Sequence, residues 1–187
     1  MLRDSGRDAR GVLRPLSAMT DRPANTSSLK EELKQSRPFR APAQEVTIAL
    51  LRTASIVNRQ FARIVEPHGL SLAQYNVLRI LRGAGADGLP TLAIRDRMID
   101  EGSTVTRLLD KLEDAKLVSR DRSRPDRRQV LCRLTHEGAT LLGTLDPVID
   151  AAHEVTTTAV SADERQQLLA VLATIRAQLA IDTGSAD

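Results

Sequence analysis

The chain has 187 residues, 41% of them hydrophobic, and carries 27 lysines and arginines against 24 acids for a formal net charge of +3. That length suits one compact domain with tails, and no apolar run approaches the ~18 residues of a helical membrane span. Cys132 is the only cysteine, which excludes an internal disulfide framework and fits a reducing cytoplasm.

The basic character is local. From Val118 to Arg133 six arginines (Arg120, Arg122, Arg124, Arg127, Arg128 and Arg133) face two aspartates, Asp121 and Asp126, a net of +4, so the remainder of the chain nets −1. Such a patch suits phosphate or an acidic surface. Aromatic residues are 2%, namely Phe39, Phe61 and Tyr75 with no tryptophan. Single-stranded nucleic acid is usually held on stacking platforms, so duplex DNA is the favoured nucleic-acid partner.

In chain order, residues 1–27 are rich in Arg, Asp, Ser and Pro without apolar periodicity and are predicted to be a mobile arm. They hold no continuous apolar stretch of the kind a secretory signal needs. Ser28 and Glu31 have capping-box spacing and predict a short helix, "LKEELKQ", stopped before Pro38. From Gln44 to Glu66, Ala54, Val57, Phe61 and Ile64 recur at helical spacing until Pro67 and Gly69 end the run. Ser71 with Gln74 predicts a second helix, "AQYNVLRIL", and Pro90 suits the first turn of a third, "TLAIRDRMI". In "GSTVTRLLDKLEDAK" the positions Val105, Leu108, Leu109 and Leu112 form the inward stripe of a fourth. "LVSRDR" and "RQVLCRLT" then read as a hairpin with Pro125 and Asp126 in its turn.

Thr135 is placed to cap a long helix carrying Ala139, Leu142, Leu145, Ile149, Ala152 and Val155, with Pro147 as a kink. Ser161 and Glu164 box the start of a last helix whose apolar face holds Leu168, Val171, Leu172, Ile175 and Leu179. The expected fold is mainly α with a small β-hairpin wing.

Two helices joined by a short connection and followed by a basic hairpin form a winged helix-turn-helix, whose second helix enters the major groove. Opposite the apolar stripe of the fourth helix lie Ser103, Thr104, Thr106, Arg107, Asp110 and Lys111. Short hydroxyls and an arginine suit phosphates and base edges, although a hydroxyl at a helix start can serve only as a cap. The hairpin arginines Arg122, Arg124, Arg127 and Arg128 could reach the adjacent minor groove, whose potential attracts Arg.

The run "STVTRLLDKLEDAKLVSRDRSRPDRRQVLCRLTHEG" resembles the DNA-binding core of the MarR family of bacterial transcriptional regulators. The family's Asp-x-Arg followed by Leu-Thr-x-x-Gly falls on Asp126, Arg128, Leu134, Thr135 and Gly138, and with "PHGLSLAQYNVLRIL" the likeness covers roughly residues 45–180. The resemblance implies a homodimeric repressor that binds a pseudo-palindromic operator. Its organisation would be an arm (1–27), a short helix and linker (28–42), an N-terminal dimerisation helix (43–68), the winged helix-turn-helix (69–135), C-terminal dimerisation helices (136–181) and a tail (182–187). Arg128 would be the minor-groove arginine, held by Asp126; a carboxylate two residues away can fix a flexible guanidinium by charge-assisted hydrogen bonds. A small anionic aromatic effector is implied between the dimer helices and the DNA-binding lobe, with Asn58, Arg59 and His68 as candidate contacts.

The chain departs from the family at Ile99 and Asp100, where Gly and an apolar residue are common, and at Lys116, where glycine is usual. A lysine at positive φ costs about 1 kcal/mol, so a different local turn is expected there. Cys132 alternates with Val130 and Leu134 and reads as a buried inert thiol rather than a redox switch. Asp150, His153 and Glu154 have spacing common on exposed helical faces, so no metal or cofactor is expected. No nucleophile–base spacing or phosphate-cradling loop appears, and catalysis is not expected. A module that binds an acidic protein surface is the competing class.

Overall fold

Ser28 and Glu31 exchange the two hydrogen bonds of a capping box, at 3.4 and 2.9 Å, and start α1 (Leu29–Glu32). The computed structural model describes residues 28–100, 104–121 and 130–184. The predicted arm over 1–27, Ser103, and the hairpin residues Arg122, Arg124, Asp126, Arg127 and Arg128 therefore lie outside the described residues. α1 is shorter than the sequence suggested, because Lys34 turns left-handed at φ 51°.

The chain divides into two units, 1–52 and 53–187, with the boundary inside α2 (Pro42–Val65). Proline at the first position of α2 gives up an N–H that would have no intrahelical partner. A 3₁₀ turn over Glu66–His68 and left-handed Gly69, at φ 76°, end the helix where Pro67 and Gly69 predicted. α3 (Leu72–Ala84) opens on the predicted Ser71–Gln74 box, with bonds of 3.2 and 2.8 Å.

The strand β1 (Leu89–Pro90), α4 (Thr91–Arg95) and α5 (Val105–Asp114) follow, then β2 (Val118–Asp121) and β3 (Leu131–Leu134). These strands form an antiparallel sheet in the order β1-β3-β2. β1 corrects the expectation for Pro90: the residue is extended, at φ −62° and ψ 149°, and pairs with Leu131 before capping α4. Proline is tolerated because β1 is an edge strand. The close approach needs Gly88, at φ 70°, where a Cβ would fall 2.5 Å from the Cys132 carbonyl oxygen. α4 stops at Arg95, short of the predicted "DRMI", although Met98 beyond it is buried.

The core of the second unit is assembled from one face of each element. Val77, Leu78 and Leu81 of α3 meet Val105, Leu109 and Leu112 of α5, with Ile94, Val118 and Cys132 around them. Leu108, expected in the same stripe, is half-buried. α6 (His136–Thr157) adds Leu142, Leu145, Ile149 and Ala152, and runs as one helix through Pro147. Val155 and Ala139 of the predicted face are exposed. The Ser161–Glu164 box opens α7 (Ala162–Gly184) as expected, with bonds of 2.9 and 3.3 Å.

The turn after α5 does not depart from the geometry that glycine would adopt. Lys116 sits left-handed at φ 59°, donating its N–H to Glu113 O at 2.8 Å while Leu117 N–H reaches Leu112 O at 2.9 Å. This double closure is the Schellman pattern of a helix C-terminus, and it holds lysine in place of the usual glycine. Thr135 then locks the turn to the next helix: its hydroxyl donates to Lys116 O at 2.8 Å and accepts from Gly138 N–H at 3.0 Å. Gly138 is required because a Cβ there would collide with the Leu117 carbonyl.

Lys116→Gly is expected to stabilise the fold by roughly 0.5–1 kcal/mol, and Gly138→Ala to destabilise it by about 1–3 kcal/mol. Urea unfolding midpoints check both; a less stable Lys116→Gly would show that the lysine side chain contributes more than its backbone costs.

Candidate nucleic-acid interface

α5 exposes the polar face that the sequence assigned to recognition. Thr104 takes the N-cap position, at φ −73° and ψ 90°, but its side chain makes no capping hydrogen bond, which leaves the hydroxyl for another partner. Thr106, Arg107 and Lys111 are exposed, while Val105, Leu109 and Leu112 hold the opposite side in the core. Thr104, Arg107 and Lys111 follow at i, i+3 and i+7 and share one face. The N-terminal turn of a helix also carries partial positive charge suited to phosphate.

The departure at the helix-helix connection is accommodated by a side chain from another helix. Asn76 of α3 accepts the backbone N–H of Ile99 through Oδ1 at 3.0 Å, so the turn after α4 is tied to α3. Ile99 itself is fully on the surface.

Two of the six arginines in the basic run prove to be structural. Arg120 turns inward from β2 to α5, where its Nη2 donates to Asp110 Oδ1 at 2.7 Å. Arg133 donates from Nε to the Ala86 carbonyl at 3.1 Å and lies 3.6 Å from Asp121 Oδ2. Charge counting alone could not show that these two are tied into the fold. The cross-strand register could have hinted at it, since residues that alternate along a strand face opposite sides. The unshared positive charge of the described surface lies instead on residues such as Arg107 and Lys111, both exposed.

Cys132 of the central strand β3 is buried in the core, with the Thr91 hydroxyl 3.9 Å from its sulfur. Burial pushes its thiol pKa up, opposed by the hydrogen bond to Thr91 and by Arg120. Leu131 is buried as well, so the simple alternation expected for β3 is broken where β1 and β2 flank it.

Asn58 and Arg59 of α2 and His68 of the following turn are all exposed. A cleft of about 500 Å³ lies elsewhere, lined by Arg79, Ile80, Asp87, Gly88, Leu89 and Arg97 among others, and includes none of the three. His153 packs its ring on Phe61 with centroids 4.7 Å apart. Nearby, Arg82 of α3 holds Asp146 of α6 through two bonds from Nη1, at 2.7 and 3.0 Å. That pair raises the Arg82 pKa above its ordinary value, chiefly through the hydrogen bond.

A helix-turn-helix with an exposed polar second helix, flanked by a three-stranded sheet, defines a winged-helix DNA-binding protein. Comparison with known proteins agrees. Residues 59–145 match the family model of the SarA/Rot transcriptional regulators. The HTH-type transcriptional regulator TtmR of Methylorubrum extorquens is 34% identical over 143 residues, 76% of this chain and 71% of the relative. A solved MarR transcription factor from Planctomyces limnophilus is 34% identical, covering 73% of this chain and 99% of its own, with a TM-score of 0.57. The operator-bound MarR of E. coli, a cysteine mutant, shares the fold at 23% identity and a TM-score of 0.63, over 80% of this chain and 99% of its own. The chain belongs to the MarR family of winged helix-turn-helix transcriptional regulators.

A buried thiol with a raised pKa holds little thiolate at neutral pH. Alkylation of Cys132 in the native protein is therefore expected to be slower by about two orders of magnitude or more than in urea. Peroxide should leave DNA binding by wild type and by Cys132→Ser alike. Native labelling at the free-thiol rate, or loss of binding in wild type only, would contradict this.

Proposed function

We propose that this regulator represses transcription as a homodimer, with two copies of α5 in successive major grooves of a pseudo-palindromic operator. The observation that carries the dimer is the apolar surface left by the C-terminal helices. Val155 of α6 and Leu168, Val171 and Leu179 of α7 are 64, 48, 56 and 59% exposed. These are residues of the amphipathic stripes read from the sequence, and a soluble monomer rarely leaves so many on one pair of helices. A second copy of the same helices is the occupant that the family favours. Two-fold symmetry then places the recognition helices about one DNA turn, ~34 Å, apart.

In this reading Ser103, Thr104, Thr106, Arg107 and Lys111 meet phosphates and base edges, and Arg122, Arg124, Arg127 and Arg128 reach the flanking groove. The family resemblance supports Arg128 as the minor-groove residue with Asp126 fixing its direction. Relief by a small anionic aromatic effector would shift populations between dimer geometries that do and do not match the half-site spacing. Asn58, Arg59 and His68 remain its candidate contacts.

Sedimentation equilibrium is expected to show a dimer at micromolar concentration, and Val171→Glu to give a folded monomer with impaired DNA binding. A monomeric wild type that still shifts the duplex upstream of its own gene would overturn the dimer. For the wing, Asp126→Ala is expected to weaken specific binding although it adds net positive charge. Tighter specific binding by that variant would contradict the assigned role.

A further inference from the structure

Arg120 is the penultimate residue of β2, and its side chain is only 8% exposed. Its guanidinium crosses to the recognition helix and lies against three of that helix's residues. Nη2 donates to Asp110 Oδ1 at 2.7 Å and reaches the Thr106 carbonyl oxygen at 3.5 Å, while Nε is 3.5 Å from Glu113 Oε2. Thr106, Asp110 and Glu113 are spaced i, i+4 and i+7, so one arginine engages two turns of α5 along a single stripe. Arg107 and Lys111, one position further along, are exposed on the adjacent face.

The other side of the strand is tied separately. Arg120 is opposite Cys132 in the register, and Asp121, which points the other way, lies opposite Leu131 and pairs with Arg133. Arg120 thus joins the base of the wing to the reading helix, and Asp121 joins the two wing strands. The planar fork of a guanidinium lets Nη2 serve Asp110 and the Thr106 carbonyl while Nε, which makes no hydrogen bond, sits 3.5 Å from the Glu113 carboxylate, whereas a lysine ammonium is a single point of charge.

We propose that Arg120 is a positioning residue for DNA discrimination: it sets the placement of the wing relative to α5 and touches no DNA itself. The proposal rests on the DNA-binding reading. It differs from a phosphate contact, which would change the salt dependence of binding, and from a purely stabilising role, which would weaken binding to every sequence alike.

The test uses the full-length protein and two probes, a duplex selected by the wild type from a random-sequence pool and a scrambled duplex of the same composition. Arg120→Lys keeps the charge and loses the fork. Its preference for the selected duplex is expected to fall about tenfold, with the slope of log K against log salt unchanged. Arg120→Gln, which removes the charge, is expected to leave the slope unchanged as well; a slope shallower by about one in that variant would make Arg120 a phosphate ligand and overturn the proposal. An undiminished preference would overturn it too. Asp110→Ala, at an exposed helical position, guards against a variant that fails to fold. It removes a negative charge beside the DNA-facing side, so electrostatics alone would tighten binding, whereas loss of positioning lowers the preference. Tighter binding with full preference would overturn the proposal. If the wild type itself selects no duplex, the DNA-binding reading falls and takes the proposal with it; failure in the variants alone leaves that reading standing.

Discussion

The ion pair between Arg120 and Asp110 joins β2 to α5, the second helix of the helix-turn-helix. Taking a guanidinium out of water is costly unless its partners are charged and well placed. Here one carboxylate is at hydrogen-bonding distance and a second is 3.5 Å away, and both remain partly open to solvent. Arginine suits this post because it stays charged and has donors on several sides. The contact spans α5 and β2, whose chain connection is only the tight turn at Ala115–Leu117. The short turn limits the hinge, and the ion pair limits what rotation the hinge leaves.

The same economy of fixation continues into the helices beyond. Thr135 ties the Lys116 carbonyl to the start of α6, and Gly138 lets that helix sit against the Leu117 carbonyl. From the other side, Arg82 and Asp146 bridge α3 to α6. α6 is therefore connected to the helix-turn-helix and its sheet at its N-terminal end and again about three turns further on. A change in the placement of α6 would carry the helix-turn-helix with it. Arg82 and Asp146 are about two-fifths exposed, so this bridge is worth little in stability and counts mainly as an orienting contact.

Much of this was legible in the sequence because it is written locally. The boxes at Ser28–Glu31, Ser71–Gln74 and Ser161–Glu164, and the Thr135 cap, each need only residues three apart, and each appears as read. The apolar stripe of α5 likewise follows from helical periodicity. What escaped depends on residues distant in sequence. β1 is two residues long and exists because Gly88 admits the Cys132 carbonyl 44 positions later. The turn at Ile99 is held by Asn76, 23 residues away. Lys116 keeps the left-handed turn because Schellman closure and Thr135 together outweigh a penalty of about 1 kcal/mol. The structural roles of Arg120 and Arg133 were hidden for the same reason, since net charge is indifferent to direction.

The exposure of Thr104, Thr106, Arg107 and Lys111 on α5 agrees with helical period, and Ser103 lies outside the described residues. Arg120 was read as part of a basic patch and instead underpins that face. The central claim is that acid–arginine pairs within this surface supply geometry and not merely charge. A double-mutant cycle of Asp110→Ala and Arg120→Lys, measured as preference for the selected over the scrambled duplex, tests it most directly. If the pair acts as one clamp, the double mutant loses little more preference than either single mutant, and the losses are strongly non-additive. Independent, additive losses would contradict the account.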